Sequence, residues 1–103
     1  MSNRLEVLQN MVTQNPGDSF SRYGLAMEYA RTGELERAIE EYRALLATNP
    51  NYSAAYYHGG QTLEKVGRRE EARELYRAGL EATTRIGDLH ARSEIQAALE
   101  LLG

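Results

Sequence analysis

Two histidines, two adjacent carboxylate pairs and several serines hold the reactive chemistry of this chain, and their spacing decides whether any of it converges. His58 and His90 stand 32 residues apart, outside any metal-ligand spacing such as HExxH. Glu40-Glu41 and Glu70-Glu71 would suit acid–base work only if both members of a pair reached one substrate atom. Adjacent helical positions point about 100° apart, so neither pair converges. Cations offer simpler partners: Arg37 lies four residues before Glu41, and Arg73 three after Glu70, the spacings of surface ion pairs. Ser19, Ser21, Ser53 and Ser93 lack a nucleophile-elbow motif. Gly59-Gly60 falls inside a helical stretch and is not a phosphate loop. With no cysteine there is no disulfide, thiolate nucleophile or cysteine metal site. These residues predict no catalytic site, no metal and no cofactor; the chain is not expected to be an enzyme.

Composition narrows the remaining classes. At 103 residues the chain fits one domain over 1–103 and buries roughly 65% of the surface its unfolded form exposes, enough to fold without staples. Net charge is -3, with arginine and glutamate interspersed. A nucleic-acid binder gathers a basic excess on one stripe, so nucleic acid is not expected as a partner. No apolar run approaches the ~20 residues needed to span a bilayer, which argues against membrane insertion. The opening residues Met1-Ser2-Asn3-Arg4-Leu5-Glu6 carry no apolar h-region, so a cytoplasmic location is expected.

The elements that position these residues follow from a period. Pro16 and Pro50 are 34 apart, as are Gly33 and Gly67, and the same step links Ala38 to Ala72, Leu8 to Tyr42 to Tyr76, and Val12 to Leu46 to Leu80. Each period predicts two helices. Ser19 is placed to cap a helix running to about Thr32, which Gly33 ends in left-handed conformation. A second helix runs from Leu35 to Thr48 and stops at Asn49-Pro50, because the residue before proline avoids the α region. The plan repeats from Ser53 to Gly67 and from Arg69 to about Thr83. A helix over Asn3 to Gln14 opens the chain, and no segment alternates with the period of a strand. Asp88 to Leu102 forms a closing helix: Ala91, Ile95, Ala98, Leu99 and Leu102 make an inner stripe, with Arg92, Glu94, Gln96 and Glu100 off it.

These residues resemble the tetratricopeptide repeat, a 34-residue helix pair with a large residue, Leu-Gly, Tyr, Ala, an aromatic and Pro at set places. One unit offers Arg22, Leu25-Ala26, Tyr29, Ala38, Tyr42 and Pro50; the next offers Tyr56, Gly59-Gly60, Leu63, Ala72 and Tyr76. The opening helix, with Leu5, Leu8, Met11, Val12 and Pro16, matches the second half of a unit. The resemblance implies an all-α solenoid: a half-unit helix over 3–17, repeats over 19–52 and 53–86, and a capping helix over 88–102. Leu25, Ala26, Tyr29, Ala38, Tyr42, Tyr56, Gly60, Leu63, Ala72 and Tyr76 form the implied core, the small ones where paired helices approach closely. Two departures stand out. Arg22 replaces a bulky aromatic, so the first unit either packs less tightly or buries only the arginine's stem; in the second unit Thr84 replaces the proline and Gly59 the leucine.

The family resemblance also implies a function. The first helix of each unit lines a concave groove, here carrying Phe20, Tyr23, Met27 and Arg31, then Tyr57, His58, Gln61 and Lys65. Some family members grip a C-terminal carboxylate with Lys and Asn in that groove; Tyr23, Met27 and His58 occupy those places and do not form that clamp. An exposed set of aromatics and methionine suits a protein or peptide partner, with Arg31 and Lys65 placed to meet an acidic group. The expected function is therefore a binding scaffold or adaptor with an aromatic groove. The alternative is a self-assembly module whose apolar face serves a homodimer, the partner being a second copy of the chain.

Overall fold

The computed structural model describes residues 3–103, and among these it contains six helices and no strand. They are α1 (Arg4–Gln14), α2 (Ser19–Arg31), α3 (Leu35–Thr48), α4 (Ser53–Lys65), α5 (Arg69–Ile86) and α6 (Leu89–Leu102). Each helix packs on its neighbours in sequence, while α2 touches α4 and α4 touches α6. The result is two layers, with α2, α4 and α6 inside and α1, α3 and α5 outside, in a slab of 43 × 29 × 19 Å.

The same local chemistry ends three of the helices. Gly33, Gly67 and Gly87 have φ of 88°, 82° and 75°, a left-handed geometry that only glycine adopts without strain. Behind each, an amide reaches back over the last turn: Glu34 to the Tyr29 carbonyl, Arg68 to Leu63 and Asp88 to Thr83, all at 2.9 Å. The helix α3 instead stops before Pro50, with the Asn49 amide bonded to the Leu45 carbonyl at 2.8 Å.

Three local expectations are corrected. Ser19 is the first helical residue of α2 and not its cap; Asp18 holds that place, and its carboxylate accepts the Ser21 hydroxyl at 2.5 Å. The helix α5 runs beyond Thr83 to Ile86, because Thr84 keeps the amide that a proline would lack and the chain first meets a breaker at Gly87. Glu41 pairs with Arg22 across the α2–α3 contact at 2.8 Å, while Arg37 turns to Glu34 at 3.8 Å. That pairing explains how an arginine serves in an aromatic's place. Its side chain is only 18% exposed, and its guanidinium is satisfied by Glu41 and the Pro16 carbonyl.

The ten core positions named from the repeat are all buried. Leu25, Ala26, Tyr29, Ala38, Tyr42, Leu45 and Ala55 form one cluster; Tyr56, Leu63, Ala72, Tyr76, Ala82, Ile95, Ala98 and Leu102 form most of the next. Tyr42 and Tyr76 are the largest fully buried side chains, each contributing about 3–5 kcal/mol by the scale of aromatic truncations. Polar groups inside are accounted for: Thr62 and Thr83 bond back to the carbonyls of His58 and Gly79 at 2.7 Å. The outer face of α6 is not wholly polar, for Leu89 and Leu101 are 74% and 90% exposed.

Candidate functional site

The inner helices carry the groove residues, and their packing sorts those residues into two hollows. The first, about 220 Å³, lies between α2 and α4. Met27, Ala30 and Arg31 line it from α2, His58, Gln61, Thr62 and Lys65 from α4, and the Tyr42 ring edge comes up from α3. The second, about 290 Å³, lies between α1 and α2 and is lined by Arg4, Leu8, Met11, Phe20, Ser21, Tyr23, Gly24 and Met27. Of the eight groove residues, Met27, Arg31, His58, Gln61 and Lys65 therefore meet in one place, and Phe20, Tyr23 and Met27 in the other. Tyr57 lines neither. It packs partly buried against the second core cluster and edge-on to His58, with ring centres 5.2 Å apart at 84°.

The floor of the first hollow is fixed by side-chain bonds. The Tyr42 hydroxyl donates to the Met27 sulfur at 3.0 Å, which holds an otherwise adaptable thioether in place. Gln61 donates to the Tyr76 hydroxyl at 2.8 Å, and that hydroxyl donates to Glu64 at 2.5 Å. Burial raises the Tyr42 hydroxyl well above its ordinary value of 10.0, so it stays protonated as a donor.

His58 forms one wall of this hollow, and the rings of Tyr23 and Tyr52 back it from outside. Tyr23 lies 5.3 Å from Tyr52 and 5.9 Å from His58, ring centre to ring centre, within the range of favourable aromatic pairs. Burial among these rings lowers the His58 pKa from 6.5, with Glu94 on α6 pulling weakly the other way. At neutral pH the imidazole is thus uncharged. The rim holds two cations of different standing. Arg31 is committed, its Nε and guanidinium nitrogen binding Glu28 at 2.9 and 2.6 Å. Glu28 is buried and also meets Arg4 at 3.3 Å; the hydrogen bonds from Arg31, above all, hold its carboxyl below the usual 4.5. Lys65 is exposed, with no salt-bridge partner among the described residues.

Chemically, this arrangement can enclose an apolar side chain, accept or donate single hydrogen bonds, and offer one free cation. Among the described residues, no three His, Cys, Asp or Glu side chains come together to hold a metal ion, and no helix is long and apolar enough to cross a membrane. Sequence reasoning missed Ala30 and Thr62, which sit one turn beyond Met27 and His58 and were open to discovery by that spacing. It also placed Tyr42 in the core only, whereas its hydroxyl end reaches the hollow.

Comparison with known proteins agrees with this architecture. Family models match two stretches: a TPR repeat over residues 27–67 and a tetratricopeptide repeat over residues 53–84. A tetratricopeptide repeat domain protein from Salinibacter ruber, solved by solution NMR, is 33% identical, with 85% of this chain and 89% of that one aligned at a TM-score of 0.80. A Bordetella parapertussis protein of known solution structure is 32% identical over 99% of this chain and 89% of that one, TM-score 0.83. A TPR repeat-containing protein of Pseudomonas aeruginosa is 29% identical over 95% of this chain and 93% of its own length. At 15% identity the likeness is of fold alone, but it is close for PcrH in complex with the chaperone binding region of PopD: TM-score 0.88 over 95% of this chain and 74% of that one. The chain belongs to the tetratricopeptide repeat family.

Proposed function

We propose that the chain is a protein-binding scaffold that holds a peptide segment in the hollow between α2 and α4. One observation carries this reading: a preformed recess with a pinned floor of Met27 and Tyr42, a wall of His58 that Tyr23 backs from the neighbouring hollow, and a free Lys65 on its rim. Pockets of this make-up hold one apolar side chain, while the surrounding polar groups fix its orientation. The segment favoured is extended, with an apolar residue entering the recess and a carboxylate within reach of Lys65. Two fold neighbours lend analogy: PcrH was captured with the chaperone binding region of PopD, and SycD of Yersinia enterocolitica, 18% identical, is described as a translocator chaperone. The reading assigns no catalysis: the Thr62 hydroxyl in the recess donates to the His58 backbone carbonyl and not to its imidazole, so the two are not arranged as nucleophile and base.

The test is a substitution that fills the recess and gives up one hydrogen bond to the Tyr76 hydroxyl, which still donates to Glu64. Gln61→Trp places an indole where the ligand side chain would enter, on a half-buried position of α4. Wild type should capture a partner from lysate that Gln61→Trp fails to capture, with both proteins equally helical. Equal capture by a folded Gln61→Trp variant would exclude this recess as the site.

A further inference from the structure

The two ends of the stack complement each other. Among the described residues, every inner helix but one is held between two outer ones: α2 between α1 and α3, α4 between α3 and α5. The exception is α6, which meets α5 alone in the outer layer. Likewise α3 and α5 each touch two inner helices, whereas α1 touches only α2. One end thus presents an outer helix without its inner partner, and the other an inner helix without its outer partner.

Side chains at both ends fit this description. The 34-residue step carries Met11 onto Leu45 and then Gly79. Leu45 and Gly79 are buried, with Leu45 in the α2–α3 cluster, but Met11 is 43% exposed. Beside it the α1–α2 hollow opens among Leu8, Met11, Phe20 and Tyr23, with Phe20 at 74% exposure and Arg4 its one charged lining residue. On α6, Leu89, Ser93, Ala97 and Leu101 recur every four residues, all exposed, on the side away from the buried Ile95, Ala98 and Leu102. Glu100 stands exposed along that stripe, of opposite sign to Arg4. A helix buried on one face that still shows two leucines on the other is shaped for a second neighbour.

We infer that copies of this chain associate head to tail, α6 of one copy seating in the α1–α2 hollow of the next so that α6 and α1 complete a helix pair. The contact continues the packing already present between α2 and α3. It joins two different surfaces, so it propagates instead of closing at a dimer. Of the α2–α4 recess only Met27 is shared with it.

Sedimentation velocity of the whole chain at concentrations up to about 1 mM, high enough to populate weak contacts, tests this with three proteins. Wild type should show a weight-average mass rising past that of a dimer. Met11→Glu/Phe20→Glu, which blocks the hollow, and Leu89→Glu/Leu101→Glu, which blocks α6, should each stay monomeric. All four positions are exposed, and circular dichroism checks that helicity is kept. Mixed in equal amounts, the two variants should form a heterodimer and nothing larger, because each supplies the surface the other lacks. A monomeric wild type overturns the inference, as does a mixture that stays monomeric. Self-association of the α6 variant alone overturns it too, because it would show two α1–α2 faces pairing with each other.

Discussion

Replacing Gly60 by alanine puts two effects of opposite sign in competition on one atom. In a helix interior, glycine to alanine is worth about 1 kcal/mol of stabilisation. A Cβ at Gly60, however, would lie 2.1 Å from Cε1 of Tyr76, 2.6 Å from its Cζ and 2.7 Å from its Cδ1. The ring has nowhere to go. It is fully buried, and its hydroxyl is tied at the far end by Gln61 and Glu64. Overpacking of a tight core costs about 1–3 kcal/mol, and three ring atoms within contact distance put this case at the upper end. The net is a loss of about 2 kcal/mol, or roughly 8–16 °C in Tm for a domain of this size. Urea unfolding followed by far-UV circular dichroism would measure it. The loss should largely disappear in a Tyr76→Leu background, where the outer ring atoms are absent. Gly24→Ala serves as the contrast, since its Cβ meets only the mobile Leu8 Cδ2 at 3.1 Å and should be neutral or mildly stabilising. A Gly60→Ala protein as stable as wild type would refute the claim that this glycine sets the α4–α5 gap.

Two further outcomes follow from the helix ends and the aromatic wall. Thr84→Pro restores the residue usual in this family at that place, yet it should destabilise by about 3 kcal/mol in a thermal melt, because α5 continues through position 84 here. No change in Tm would mean the last turn of α5 is not formed in solution. Because the folded pKa of His58 lies below 6.5, the unfolded chain binds more protons just below that pH; stability should be intact above it and decline as pH falls toward the folded value. Glu28 and Glu71, held below 4.5 by their arginines, lose their contribution only at lower pH. Melting wild type and His58→Gln at about pH 7.5 and about pH 5.5 separates the cases, the wild type alone losing Tm across that window; equal losses would remove His58 as the cause.

Much of this architecture is legible in the sequence because the repeat states it twice. The steps from Gly33 to Gly67 and from Tyr42 to Tyr76 mark helix ends and buried rings without any three-dimensional knowledge. What was not legible depends on partners distant in the chain. Arg22 reads as a defect until Glu41, 19 residues on, is seen beside it. The extension of α5 was available in retrospect, since Thr84 offers no break before Gly87. The division of one supposed groove into two hollows was not, because both use neighbouring turns of α2 and only the placement of α1 separates them. Leu89 and Leu101 were legible by their spacing, which sets them opposite Ile95 and Ala98, and reading the outer face of α6 as polar overlooked them.

The helix α1 has no buried residue and rests on α2 alone among the described elements, whereas α4 leans on α2, α3, α5 and α6. In a stacked array, where stability is the sum of neighbour contacts, that difference becomes a gradient along the chain. Amide protons of α1 should therefore exchange through detachment of one helix, at a free energy well below that of global unfolding, and those of α4 only when the stack comes apart. By the same gradient α1 should dock last in assembly, forming the hollow beside Phe20 only at that final step.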